Sequence, residues 1–558
     1  MVNSPFNPRL GLLTCILCWL LLQWNLPNLG NNLTPRNMFV GAMMCIICAA
    51  SWSQVFVSRQ ISWQGSAGCL FIPSLFVLLH AANVPTGSFP HYPWLSAAVL
   101  AIFACLVIGL AQVEYTDKNW CKLSQILTAG TTLLCLVTLT SPKYLDWPAV
   151  WLSLPLPLRA AEGGFQQPNL LASFMATSLI YSLWLHVKQS SRLPVWQISG
   201  LIFMTLVHAL VIFKSGSRVG MLGLTLAMIL FSSWVIICKP HNRSIWWWAV
   251  AGMLMGILLA VIFGDVLNRL HDLKNGLSTT SRLSFIKVCI FLWQQAPWWG
   301  HGIGKFSELF TPAFVQMVQS GEPLEYIHNL GHPHNEVLLW AVETGAFGVV
   351  CVAGPWIFFL TRMAHQSGLH SLGWLACLTP IGLHQFTEFP FHSSAVHIWL
   401  WAMVIAAGVP PIKPHRVALL QQKLIPCSLM ALIWALTVTL VIYLSGTGWL
   451  SYQAWALRKP WPTSQVEMKT QAQEDQLLNH FLLSRSAKDH RHIAQAHYWL
   501  SNRDQAGFND WCMAVFDLGK RKQNPQQWEF EQQCLITLGQ SDALNEHQLK
   551  LKALRMQH

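Results

Sequence analysis

Residues 245–263 read Ile-Trp-Trp-Trp-Ala-Val-Ala-Gly-Met-Leu-Met-Gly-Ile-Leu-Leu-Ala-Val-Ile-Phe, without one charged or amide side chain. A helix rises about 1.5 Å per residue, so this run spans a bilayer hydrocarbon core of roughly 30 Å. The tryptophans cluster at one end, Trp246–Trp248, where their amphipathic rings anchor a helix at headgroup level. Working outward, about thirteen such runs recur along the chain. They lie near Leu10–Trp24, Met38–Val57, Ala67–Ala82, Trp94–Val113, Leu123–Thr140, Pro168–His186, Trp196–Phe213, Val219–Cys238, Ile245–Phe263, Val337–Leu360, Leu372–Leu383, Ala395–Val409 and Leu424–Leu444. Of 558 residues, 53% are apolar and only 10% charged. A soluble domain carries about a quarter charged residues, so soluble classes are excluded for most of the chain.

The predicted fold is an all-α polytopic membrane protein with about 12–13 transmembrane helices. The first run lacks a small-residue cleavage site and reads as an uncleaved span. Residues 1–264 hold the N-terminal spans, 265–336 form one long loop with short helices, 337–446 hold the C-terminal spans, and 447–558 are a polar tail. Loops that long are usually functional. The tail reads as soluble amphipathic helices, for example around Arg491–Leu500 and Gln505–Leu518, paired like tetratricopeptide hairpins.

Lys and Arg in the short loops set the orientation. With the N-terminus cytoplasmic, inside loops collect Arg9, Arg59, Lys118, Lys122, Lys188, Arg192, Lys239, Arg243, Arg362, Lys413, Arg416 and Lys423. Outside short loops hold only Arg36, Lys143, Arg159, Lys214 and Arg218, which puts the long loop and the tail outside. The net charge of +12 follows from this bias and the basic tail; no recognition motif accompanies it, so a nucleic-acid partner is not expected. Cys15-x-x-Cys18 and Cys45-x-x-Cys48 place small polarizable side chains on helix faces. Cys512 and Cys534 in the tail are candidates for pairing, a point composition leaves open.

Charged and polar clusters at a membrane face are costly and therefore informative. Four fall on the outer side: Gly163-Gly-Phe-Gln-Gln167-Pro-Asn169, Lys214-Ser-Gly-Ser-Arg218, Ser278-Thr-Thr-Ser-Arg282, and His332-Pro-His334-Asn335-Glu336. A lone interfacial arginine snorkels to lipid headgroups. Two, each within a Ser-rich turn, point to an anionic ligand, because the planar guanidinium donates several hydrogen bonds at once. His332, His334 and Glu336 are an alternative metal set, although the i, i+4 spacing of the common zinc motif is missing. A neutral imidazole suits general base work, its pKa being near ambient pH.

These motifs resemble the O-antigen ligase and polymerase superfamily, and within it the PglL-type protein O-oligosaccharyltransferases of Gram-negative bacteria. The resemblance rests on the Gln-Pro-Asn169 segment, the Ser-Gly-Ser-Arg218 turn, Thr280-Ser-Arg282, Pro297-Trp-Trp-Gly-His-Gly-Ile-Gly304, Pro333-His-Asn-Glu-Val-Leu-Leu-Trp340 and His384-Gln-Phe-Thr-Glu388-Phe-Pro-Phe391. It implies a bacterial inner-membrane enzyme with a periplasmic site and tail. Such an enzyme moves a glycan en bloc from undecaprenyl pyrophosphate to a Ser or Thr hydroxyl of a periplasmic or pilin-like protein. By the resemblance, His334 is the base or positioner, Arg218 and Arg282 hold the pyrophosphate, and Asn335 and Glu336 orient the imidazole. Gln167, Asn169, Arg159, Lys214, His384 and Glu388 complete the expected substrate-binding set. Glu388 is expected to pair with an arginine or to dock the acceptor, the bland alternative being a carboxylate in an aqueous loop. The leaving group is already activated, so no cofactor or metal is expected. The alternatives within the class are an O-antigen polymerase or a lipid A-core ligase; outside it stand a polytopic transporter and a scaffold.

Overall fold

The computed structural model describes residues 35–58, 60–61, 65–87, 92–111, 128–136, 138–139, 165, 167–188, 195–263, 277–324, 332–408, 415–416, 424–456 and short stretches between 512 and 548. The expected first span, Arg159 and most of the tail lie outside these residues. The described chain is helical apart from one antiparallel pairing of Gln60–Ile61 with His415–Arg416. Eight of its segments are long and apolar enough to cross a membrane, so the protein is a multi-pass helical membrane protein. The longest, Glu336–His384, contains two helices joined at Gly368, whose φ of 55° turns the chain. The run expected at Ala67–Ala82 is instead a 3-10 segment, Gly65–Phe71, followed by a short helix, Ile72–Asn83. A hydropathy window registers apolar character but not a change in helix type.

The chain divides into two compact units, each built from separated stretches. The first comprises Met1–Phe71, Leu100–Leu273 and Trp356–Tyr452. It contains α1 (Pro35–Ser58), the second half of α3 (Tyr92–Ala111), α4 (Pro168–Lys188), α5 (Val195–Ser215), α6 (Arg218–Cys238), α7 (Arg243–Phe263), α11 (Ser371–His384), α12 (Pro390–Ser393), α13 (Ala395–Gly408) and most of α14 (Leu424–Ala456). Helix α4 is its axis, wholly buried, with α5, α6, α11 and α13 packed around it. Small residues make that possible: Ala172, Ser173, Ala176, Thr177 and Ser178 let neighbouring backbones approach, since lipid supplies no hydrophobic drive between helices. An added Cβ at Gly220 of α6 would collide with Ala172. Gly252 and Gly256 of α7, four apart, lie against the α5 backbone at Ile202 and Leu206 in the same way. Asn37 of α1 accepts from Ala395 N and donates to Ser393 O (3.1 and 2.9 Å), fixing the α12–α13 junction.

The second unit comprises Ile72–Val99, Lys274–Pro355 and Gln453–His558. Within the long loop, where short helices were expected, residues 277–319 form α8 (Leu277–Gln295) and α9 (Phe306–Gln319), joined through a seam of Phe285, Phe306, Phe310 and Phe314. Helix α10 (Glu336–Ser367) is broken at Gly345, φ 68°. The loop 297–302 docks on the break: Ala346 N and Phe347 N donate to Pro297 O and Trp298 O, while His301 N and Gly302 N donate to Val342 O and Glu343 O. Backbone groups freed by the kink are thus paired rather than orphaned. Helix α2 (Ile72–Asn83) adds His80 Nε2 on Trp299 O at 2.8 Å. Cys512 and Cys534 are joined in a disulfide, which closes the pairing the sequence left open.

Candidate active site

In the first unit, three sequence stretches that carry candidate residues meet at Asn169. Pro168 opens α4 with the fixed φ that suits a first helical position. Gln167, half-buried, gives its carbonyl to Leu171 N, leading the chain in. Asn169 is next, and its amide faces two ways. Its Oδ1 accepts from Ser217 Oγ at 2.7 Å, and its Nδ2 donates to Glu388 Oε1 at 3.4 Å. Ser217 in turn caps α6, accepting from Gly220 N at 3.1 Å with extended backbone angles. Gly216, φ 70°, supplies the left-handed residue that the turn between α5 and α6 requires.

That cap presents Arg218 as the first residue of α6, exposed, with half-buried Lys214 one turn before it at the end of α5. The N-terminus of a helix carries positive partial charge, and a cation there costs about 0.3–1 kcal/mol. An arginine placed where the helix dipole disfavours a cation is a candidate for holding an anion.

Glu388 is buried, not in an aqueous loop as the bland alternative had it. Its backbone N–H donates to His384 O at 2.9 Å, so the two residues hold the i, i+4 relation, although α11 ends at His384 and residues 385–387 are turn. His384 faces inward: Nδ1 meets Ser173 Oγ at 2.8 Å, and Ser173 Oγ meets His397 Nε2 at 3.2 Å. All three residues are fully buried. His397 Nε2 also lies 3.1 Å from Leu170 O; a carbonyl only accepts, so that nitrogen carries the proton. The rings of Phe165 and Phe174 wall His397 edge-on. Ser173 and His397 were absent from the sequence reading. The available signal was His397 itself, an ionisable residue within the apolar run Ala395–Gly408.

In the second unit, the His332-Pro-His334-Asn335 turn enters α10. His334 has φ 49°, the one non-glycine with positive φ among the described residues. Such a backbone costs about 1–3 kcal/mol and survives where surrounding structure enforces it, commonly at functional sites. Three contacts enforce it here. His332 Nδ1 takes the His334 N–H at 3.4 Å, and the two rings meet at 4.4 Å, edge to face. The His334 ring packs on Phe285 at 5.5 Å. Asn335 Oδ1 accepts from Leu338 N at 2.9 Å, capping α10. Phe285 lies on α8, and exposed Arg282 stands three residues earlier on that helix, so the two side chains are neighbours on its surface. Buried Glu336 begins α10, where the helix dipole favours a carboxylate. Buried Glu343 accepts from Phe306 N at 3.2 Å and so holds the start of α9.

A sequence family described as O-antigen ligase matches residues 201–353, and one described as protein glycosylation ligase matches residues 163–186. The first match contains Arg218, Arg282 and His334; the second contains Gln167 and Asn169. No curated protein matches the chain. The fold and these matches support a glycosyl-transferring membrane enzyme, similar over those residues to the O-antigen ligase and protein glycosylation ligase families. The short second match supports the PglL-type protein glycosylation branch of that superfamily.

Proposed function

We propose that the protein is an O-oligosaccharyltransferase that transfers a glycan en bloc from undecaprenyl pyrophosphate to a Ser or Thr hydroxyl of a periplasmic or pilin-like protein. The observation that carries the reading is His334: an imidazole held in a left-handed backbone, packed on Phe285, one turn from Arg282. The acceptor hydroxyl oxygen attacks the anomeric carbon and its proton passes to the imidazole of His334. The anomeric carbon–oxygen bond to the pyrophosphate breaks, and its electron pair stays on the pyrophosphate. By the resemblance, Arg282 and Arg218 hold the charge that develops there, with Lys214, at the end of α5, one turn before Arg218. Asn335 and Glu336 act by fixing the turn that presents His334, and Asn169 with Glu388 by fixing the turn that presents Arg218. The Cys512–Cys534 disulfide supports an oxidising, periplasmic setting for the tail, and the inner membrane is the site that the lipid carrier requires.

Glycoproteomics of the host with and without the gene tests the reading. The expected result is loss of one glycan from one or more exported proteins, restored by wild type and not by His334→Ala. Unshifted proteins together with lost polymer, or lost lipid A-linked glycan, overturn it in favour of a polymerase or a lipid A-core ligase.

A further inference from the structure

Helices α6 and α7 are joined by the short 3-10 turn Pro240–Asn242 and are tied together close to it. Trp246 Nε1 of α7 donates to Ser232 Oγ of α6 at 2.9 Å, and Arg243 donates to Ile236 O at 3.1 Å. Away from the turn each helix packs elsewhere. Gly252 and Gly256 draw α7 onto α5, while Gly220 and Gly223 draw α6 onto α4 and α11. The two helices therefore part, and a cleft of about 440 Å³ runs between them. Its floor includes Phe213 of α5; its walls carry Met228 and Ile229 from α6 and Met253 and Ile257 from α7.

The cleft is dry in character. Its hydroxyls are already used: Thr225 Oγ1 donates to Met221 O and Ser233 Oγ to Ile229 O, both at 2.9 Å, and Ser232 accepts from Trp246. What remains is hydrocarbon and two thioethers, one from each wall, which adapt to a branched, unsaturated chain. Lining residues run from Leu224 to Ile236, about 18 Å of helix. At the cleft's other end, Arg218, the first residue of α6, stands about 10 Å from Thr225 along the same helix by helical rise, and Lys214 at the end of α5 follows the lining residue Phe213. A cationic mouth over a long apolar slot fits an amphiphile with an anionic head and a slender tail.

We propose that this cleft seats the first isoprene units of the polyprenyl carrier while its pyrophosphate meets Arg218 and Lys214. The inference rests on the transferase reading and adds a tail site to it. Full-length protein in lipid nanodiscs is assayed with two donors bearing the same glycan pyrophosphate, one on a long polyprenyl chain and one on a two-isoprene chain. Ile229→Trp and Met253→Trp fill the cleft; each is expected to lower the long-chain to short-chain ratio of kcat/KM at least tenfold. Ile237→Trp, on the exposed face of α6 outside the cleft, is expected to leave that ratio at the wild-type value. In parallel, a photoreactive polyprenyl pyrophosphate is expected to label residues 224–257, with competition by polyprenyl phosphate and not by phosphatidylglycerol. An unchanged ratio in both filled variants, an equal fall in Ile237→Trp, or labelling abolished by phosphatidylglycerol overturns the proposal. Labelling does not depend on turnover. Wild type that transfers from neither donor but is labelled as expected refutes the transferase reading and leaves the tail site standing.

Discussion

Asn169 offers a sharp test because one amide serves two partners far apart in sequence. Asn169→Ala removes the 2.7 Å bond from Ser217 and the 3.4 Å bond to Glu388. A neutral hydrogen bond contributes about 1 kcal/mol net, and one to a charged group about 1.5–3. The second is long, so the lower figure applies, and the pair contributes about 2–3 kcal/mol. Ser217 keeps its cap on Gly220 N, so α6 still forms, but the turn that presents Arg218 loses its anchor. If half of that energy appears as misplaced Arg218, donor binding weakens roughly tenfold, since about 1.4 kcal/mol is a factor of ten. KM for the lipid donor is expected to rise by that factor, with a smaller change in kcat and a folded protein by size exclusion. Asn169→Asp is expected to be worse than Asn169→Ala, because it sets a second carboxylate against Glu388. Glu388→Gln alone is expected to cut activity at least tenfold. The double variant Asn169→Ala with Glu388→Gln is expected to be no worse than the poorer single variant, a coupling of about 1–2 kcal/mol. Wild-type donor KM in Asn169→Ala, or strict additivity in the cycle, refutes the idea that Asn169 links the two motifs to Arg218.

Three further outcomes can be checked. His334→Ala is expected to abolish transfer, and His334→Gly to do the same while melting at a higher temperature than His334→Ala, because glycine relieves a φ of 49° for about 1 kcal/mol; equal melting points would show that the backbone there is unstrained. Arg218→Lys and Arg282→Lys are both expected to lose at least tenfold in activity in a single-turnover assay, since lysine keeps the charge and loses the planar fork; full activity in both would reduce them to headgroup contacts. EDTA is expected to leave turnover intact, and loss with recovery on adding one divalent ion would promote His332, His334 and Glu336 to ligands.

Much of the membrane architecture was readable locally. Hydropathy acts over a window of about twenty residues, and α3, α4, α5, α6, α7 and α14 lie where their runs predict them. The motif positions were equally local, and Arg218, Arg282 and His334 each emerged in an ordered turn or helix. The short helices expected within 265–336 are present as α8 and α9. The segment at Ala67–Ala82 differs in that its first turns are 3-10, because apolar content does not report helix type.

By itself, then, the sequence determined that this chain crosses a membrane many times, and which polar clusters stand out from its apolar background. Only the tertiary structure decided what those clusters touch. Two runs that both pass as spans, α4 and α14, differ completely in surroundings: the apolar stretch of the first is buried throughout, and that of the second is almost entirely exposed on the protein's surface. Asn169 reaches Ser217 and Glu388 across 48 and 219 positions, and Ser173 joins two histidines across 211 and 224. No local pattern encodes such pairings, because in lipid the choice of neighbour depends on small-residue packing and on satisfying buried polar groups, and both are settled only when the helices meet.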